Sequence, residues 1–344
     1  MTEAKTATLP DLDRPGQHGL LATLFRFQSL FGLVLVFIAA VVYSPSKNGE
    51  LVFLDSGNLF NVVRSMSEIG ILAVGMTLVI LIGGIDLSVG SVLGLASVGA
   101  AVLLTENGLG LVPAVLVVLA IGLGFGLLQG FAITSFGIQA FIVTLAGMQI
   151  ARGLARIWSG GQGVSITYGD GPGQAPESFS LLGERTFNGL VPIPALIFLV
   201  VAALAVVLLR VSAFSRHIYA IGGNEKAARL SGVPVKRVKI IVFGLCGLLA
   251  ALAGIVHAGQ LNFGGPNDGS MYELDAIAAV VIGGTSLMGG RGSVVGTVAG
   301  ALLVGVLRNI LGLNNVDSNV QLLVIGLVIV LAAGLQRLRP ASVS

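Results

Sequence analysis

Arg210 to Lys239 reads RVSAFSRHIYAIGGNEKAARLSGVPVKRVK, the longest strongly charged run in a chain that is otherwise mostly apolar. Seven basic residues, Arg210, Arg216, Lys226, Arg229, Lys236, Arg237 and Lys239, stand against one acid, Glu225. Long hydrophobic segments bound the run on both sides, and an excess of Lys and Arg beside membrane-spanning helices marks a cytoplasmic loop. The reading is therefore all-α: a polytopic helical membrane protein with this loop on the inner side. Inside the run, Asn224 is a good N-cap, Glu225 suits the positive end of a helix dipole, and Lys226, Ala227, Ala228, Arg229 and Leu230 favour helix. Gly232 can close that helix and Pro234 stop it. The spacing predicts about two turns, and isolated helices under ~12 residues are marginal in water. Such a helix needs a surface to lie on. Anionic lipid would serve, but a capped, Ala-rich mini-helix is more than lipid attraction requires, which favours docking on a partner protein.

Composition sets the class. Of 344 residues 55% are hydrophobic and 10% charged, with a mean hydropathy of +0.96, against about 25% charged residues in soluble domains. Glycine is abundant at 50 residues and aromatics are few at 6%, which suits helices packed closely through small side chains. The apolar runs are continuous and too long for the alternating strands of an outer-membrane barrel. Cys246 is the one cysteine, so no disulfide forms within the chain. His18, His217 and His257 are scattered without metal-ligand spacing. The net charge of +3 sits in loops and reports topology, not nucleic-acid binding.

A spanning helix needs about 20 apolar residues. On that rule ten segments are expected near 27–43, 64–83, 87–104, 111–133, 138–158, 190–209, 238–258, 274–289, 293–312 and 319–336. Residues 1–26 read as a cytoplasmic tail and 337–344 as a second, flanking a transmembrane unit over 27–336 whose cytoplasmic loop is 210–237. Ten crossings place both termini inside. The outer loop 159–189 carries Asp170, Glu177 and Glu184 against Arg185, and 259–273 carries Asp268 and Glu273 without Lys or Arg, as an outer surface should. Arg64, Arg152 and Arg156 fall on or near the outer side against the rule and point to a broken or re-entrant segment. The long outer loop can form a cap or landing surface. Ile82-Gly83-Gly84 is echoed by Ile282-Gly283-Gly284 two hundred residues later. Such an echo is either an internal repeat, as transporters often contain, or a chance of Gly-rich sequence.

Within the membrane, Gly83-Gly84-Ile85-Asp86-Leu87-Ser88-Val89-Gly90 is the sharpest feature. Two glycines break a helix, and an acid at the bilayer centre costs ~2.5 to 3.5 kcal/mol on insertion scales, so Asp86 must face protein or water. Asp86 or Ser88 is expected to cap the next helix, with direct solute contact or a proton relay as weaker alternatives. Ile282 to Gly296, with Gly283, Gly284 and Arg291, reads as a tight cytoplasmic turn. Gln129, Gln149, Asn309 and Gln321 either line a polar path or bond a neighbouring helix. No G-x-x-x-x-G-K-[ST], HExxH, CxxC or GxSxG occurs, so the chain is not expected to hydrolyse ATP itself.

Three of these stretches resemble the permease subunits of bacterial ABC sugar importers of the ribose type. They are Gly83 to Gly90, Arg216 to Asn224 with Ala227 to Val233, and Ile282 to Ser293, and the likeness covers about residues 55–335. What the resemblance implies is a multi-pass protein of the bacterial inner membrane, working as a homodimer or with a close paralogue around one translocation path. Cytoplasmic ATPase subunits, which carry the ATP and Mg, bind below, and a periplasmic or extracellular sugar-binding protein binds above. Asn224 to Leu230 then corresponds to the coupling helix that sits in a groove of the ATPase. The principal alternative is an ion-coupled secondary transporter, which needs several buried ionisable groups where the sequence offers only Asp86. A membrane scaffold or sensor is a third. Pentoses, hexoses, polyols and furanosyl signalling compounds all fit the sequence.

Overall fold

A computed structural model describes residues 28–186 and 191–337; the expected tail 1–26 and all but the first residue of 337–344 lie outside them. The described chain is helical throughout its apolar segments: α1 Gln28–Val42, α2 Ser56–Leu81, α3 Val89–Thr105, α4 Leu111–Phe136, α5 Ala140–Trp158, α6 Ile193–Val211, α7 Ala213–Gly223, α8 Glu225–Leu230, α9 Val235–Leu261, α10 Tyr272–Ile282, α11 Val294–Leu313 and α12 Ser318–Arg337. Three two-stranded antiparallel pairs lie in the connections: β1 Ser46–Lys47 with β2 Glu50–Leu51, β3 Val164–Ser165 with β6 Phe263–Gly264, and β4 Arg185–Thr186 with β5 Val191–Pro192. The protein is an all-α polytopic membrane protein, and six of its helices (α2, α4, α5, α6, α9 and α11) are long and apolar enough to cross a bilayer by length and composition.

Each of the ten expected segments holds a helix, with differences that have physical causes. The expected span 274–289 is helical only to Ile282, because Gly283 and Gly284 end it. Its 11 residues cover about 16 Å, half of a hydrocarbon core. Residues 265–271, before it, are not helical, yet they run beside α3: a methyl on Gly90 would strike the Gly269 carbonyl, and one on Gly94 the Asp268 carbonyl. Irregular backbone at that depth survives where protein covers it and supplies its hydrogen bonds. Ahead of the expected mini-helix stands α7, an 11-residue helix that the charge run concealed.

Packing divides the helices into a centre and a belt. α2, α3, α9, α10 and α11 bury most of their length, while α1, α4, α5, α6 and α12 expose large apolar side chains such as Leu128, Phe136, Leu204 and Val330, the face a lipid tail would cover. Gly122, Gly126 and Gly130 recur every fourth residue on α4 and let it close onto α9, where added methyls would meet the Gly247 and Phe243 carbonyls and the Ile240 Cα. That close approach is the membrane use of small residues at four-residue spacing.

Candidate functional site

α7 and α8 form a short hairpin set across the ends of the spanning helices. Ser212 caps α7, its hydroxyl accepting from Ser215 N at 3.1 Å. Asn224 caps α8, its Oδ1 accepting from Ala227 N at 3.0 Å. α8 then ends in a Schellman motif: Gly232, with φ +84°, donates to the Arg229 carbonyl while Val233 N donates to Ala228 at 3.0 Å. Glu225 Oε2 accepts from Lys239 Nζ at 2.6 Å and Oε1 from Arg229 at 2.9 Å. Partial burial pushes the Glu225 carboxyl upward, but the Lys239 ammonium and the Arg229 guanidinium outweigh it and hold it below the usual range. Ala228 is buried against the hairpin's own helices, whereas Leu230 is 90% exposed and Lys226, Ala227 and Arg229 face outward. The adjacent alanines therefore do not form one outward apolar face with Leu230, since Ala228 points the other way.

The three sequence stretches singled out by resemblance meet at this hairpin. α2 ends at Gly83, with φ +76°, through bonds from Gly83 N to Ile80 O and Gly84 N to Val79 O, both 2.9 Å. α10 ends in the same motif at Gly284, whose N bonds Val281 O at 2.9 Å while Thr285 N reaches Val280 O at 3.2 Å. The echoed Ile-Gly-Gly segments thus make equivalent helix stops, offset by one residue. Between the two stops lies Gly222 of α7, so close that an added methyl would overlap the Leu81 carbonyl and Gly290 N. Gly290 N donates to Leu81 O at 2.9 Å, and the Tyr219 hydroxyl donates to the Gly292 carbonyl at 3.0 Å. Arg291 is exposed beside this junction, as is Met288 at 87%.

Asp86 lies just above the junction, buried at 1% exposure with Ser88. Its Oδ1 accepts from Ser88 N at 2.9 Å and Ser88 Oγ at 2.6 Å, and Gln129 Nε2 of α4 donates to Ser88 Oγ at 2.9 Å. The turn before α3 is what Asp86 holds. Neither carboxylate nor hydroxyl caps α3's own first turn, because Ser88, the residue at that cap, spends its hydroxyl on Asp86. Gln129 and Asn309 bond neighbouring helices, Asn309 in a reciprocal pair with Asn58 at 2.8 and 3.1 Å. Gln321 bonds the Val316 carbonyl, and Gln149 is exposed.

The half of the molecule away from the hairpin holds a polar cluster that the sequence does not announce. Glu68 Oε2 of α2 lies 2.6 Å from His257 Nδ1 of α9, and His257 Nε2 lies 3.4 Å from Asp268 of the irregular segment. Ser97 donates to Asp268 at 2.8 Å and Gln260 to Glu68 at 3.0 Å. Arg152 of α5 clamps the same segment, its Nη1 donating to the Pro266 and Asp268 carbonyls at 2.7 Å each. Arg64 donates to the Gly183 carbonyl at 3.1 Å and Arg156 to Asn267 at 3.0 Å. These arginines thus hold Gly183 and the irregular segment 265–271 in place. Asp86 is accordingly not the only buried acid, and an argument against ion coupling from a lack of such groups fails. Glu68, His257 and Asp268 are up to 200 positions apart in sequence, and no local spacing announces them.

Paired helix stops beside the hairpin, a broken span and buried polar groups are the parts of a solute permease. The chain belongs to the family described as branched-chain amino acid transport system / permease component, which it matches over residues 58–333. It is 42% identical over 326 residues to the ribose import permease protein RbsC of Bacillus subtilis (strain 168), covering 94% of this chain and 95% of that protein. To the ribose import permease protein RbsC of Escherichia coli (strain K12) it is 43% identical over 311 residues, 90% of this chain and 93% of the relative. With the L-arabinose transport system permease protein AraH of Escherichia coli (strain K12) the identity is 40% over 323 residues, 89% and 90% of the two chains. No solved structure matches the chain.

Proposed function

We propose that this chain is the membrane permease subunit of an ABC importer for a monosaccharide of the ribose type or a related polyol. The observation that carries it is similarity to ribose and arabinose permeases across nine-tenths of the chain, which overrides the ion-coupled alternative. Ten crossings with both termini in the cytoplasm fit the ten helical segments and the charge bias, α3 and α10 completing their crossings with the irregular stretches beside them. Two such chains, identical or paralogous, enclose the path within the lipid of the inner membrane. A sugar-binding protein delivers solute at the outer loop 159–189, and ATP and Mg are handled by separate ATPase subunits.

α8 is the contact with that ATPase, and Leu230 is its anchor. Leaving a leucine 90% exposed forgoes roughly 1.5 to 3 kcal/mol of transfer free energy that burial in a partner's groove recovers. Met288 stands exposed on the neighbouring turn as a second apolar contact. The test is reconstitution with a cognate ATPase and sugar-binding protein. ATP-dependent uptake of labelled ribose, arabinose or xylose supports the reading, and uptake of none of them by a complex that assembles and hydrolyses ATP removes the sugar.

A further inference from the structure

α2 carries Asn58, Asn61, Arg64, Ser65 and Glu68, a polar stripe of three- and four-residue steps down its outer half. Asn61 and Ser65 are exposed on the chain's surface. They lie five and nine residues into α2, so at 1.5 Å per residue Ser65 is about 13 Å down the helix. Lipid tails are a poor neighbour for amide, hydroxyl and guanidinium groups at that depth. The stripe faces a cavity of about 700 Å³ shared with Gln260 of α9, Tyr272 of α10 and Arg308 and Asn309 of α11, a volume within the range of small-molecule sites.

We propose that this cavity is a solute-holding subsite inside the membrane, taking an uncharged polyhydroxylated molecule, with Asn61, Gln260, Tyr272 and Asn309 as its hydrogen-bonding wall. The proposal rests on the sugar-permease reading above and adds which residues meet the solute. Amide and phenol side chains both donate and accept, as a ring of hydroxyls requires. Asn309 uses part of its amide on Asn58 and Gln260 part of its amide on Glu68, which fixes both side chains and leaves hydrogen-bonding capacity on each. Arg308 pairs with Asp275 at 2.6 Å and Glu68 with His257, while Arg64, also on the lining, bonds the Gly183 carbonyl and has no acid partner among the described residues. Arg64 Nε is buried without an acceptor among the described residues. Tyr272, one of the four walls, directly follows the irregular segment 265–271.

The test uses the full complex with its ATPase and binding protein in proteoliposomes, with labelled ribose, arabinose and xylose and their deoxy analogues as probes. Asn61→Leu and Gln260→Leu are expected to lower uptake at least tenfold and to change the preference between each sugar and its deoxy analogue, while ATPase copurification stays at the unaltered level. Independently, Ser65→Cys is expected to react with an impermeant hydrophilic thiol reagent from outside and to be protected by sugar-loaded binding protein; Cys246, being buried, supplies little background. Unchanged uptake and preference in both leucine variants, or a Ser65→Cys thiol that the reagent does not reach, overturns the subsite. If the unaltered complex moves none of these sugars although Ser65→Cys is labelled, it is the sugar reading that fails, and the water-lined cavity stands.

Discussion

Asp86 shows how a single buried acid can be structural. It answers both the N–H and the hydroxyl of Ser88, and removing one partner of a buried hydrogen bond costs about 1 to 3 kcal/mol because the other is left dry. Asp86→Ala should therefore lower the melting temperature and folded yield of the purified protein, and Asp86→Asn, which still accepts from Ser88, should retain most of both. A variant Asp86→Asn that folds normally and transports nothing would instead give Asp86 a part in solute or ion passage. Glu225 makes a pH prediction of definite sign. Its folded pKa is depressed below the ordinary 4.5, so the tie between α8 and α9 through Lys239 is present above that value and is lost as pH falls through the folded one. Hydrogen exchange in α8, taken relative to the intrinsic rate at each pH, should rise on acidification in the unaltered chain. In Glu225→Gln it should be raised already at neutral pH; an exchange rate equal to the unaltered chain's there would deny the tie its role.

At the scale of elements, the hairpin of α7 and α8 was half legible. Asn224, Glu225 and Gly232 are local signals, and local signals are enough for a cap and a stop. α7 was hidden because its apolar residues, Ile218 and Ile221 among them, bury against the bundle and are diluted by charge in the sequence. The glycine junction was legible as composition and not as contact. Gly222 and Gly223 are neighbours in sequence, yet only Gly222 abuts backbone, and an added methyl at Gly223 meets nothing. Gly222→Ala should therefore disturb folding or coupling severely and Gly223→Ala hardly at all, read as uptake per ATP hydrolysed. Equal effects would mean the junction is not tightly packed. The same hairpin predicts that Leu230→Asp weakens ATPase copurification far more than Lys226→Ala, because rim charges contribute mainly to approach and register. Full association of Leu230→Asp at equal membrane expression would assign the hairpin to lipid.

For the whole molecule, hydropathy carried the helical segments, since a bilayer imposes a length rule that a single sequence displays. The polar interior was not displayed. Glu68, His257 and Asp268 come together only because α2, α9 and the segment before α10 pack side by side, and the short α10 looked like a span because the apolar run continues past Ile282 across the glycine turn. Topology is checked by thiol labelling: cysteine at Gln174 should react from outside and cysteine at Lys226 only after the membrane is opened, and the reverse pattern would invert the molecule. The central claim is tested most directly by energy source. In proteoliposomes holding this chain with its ATPase and binding protein, labelled sugar uptake should require ATP and the binding protein and should persist when ion gradients are collapsed. Uptake that runs without ATP and stops with the gradient would contradict the account.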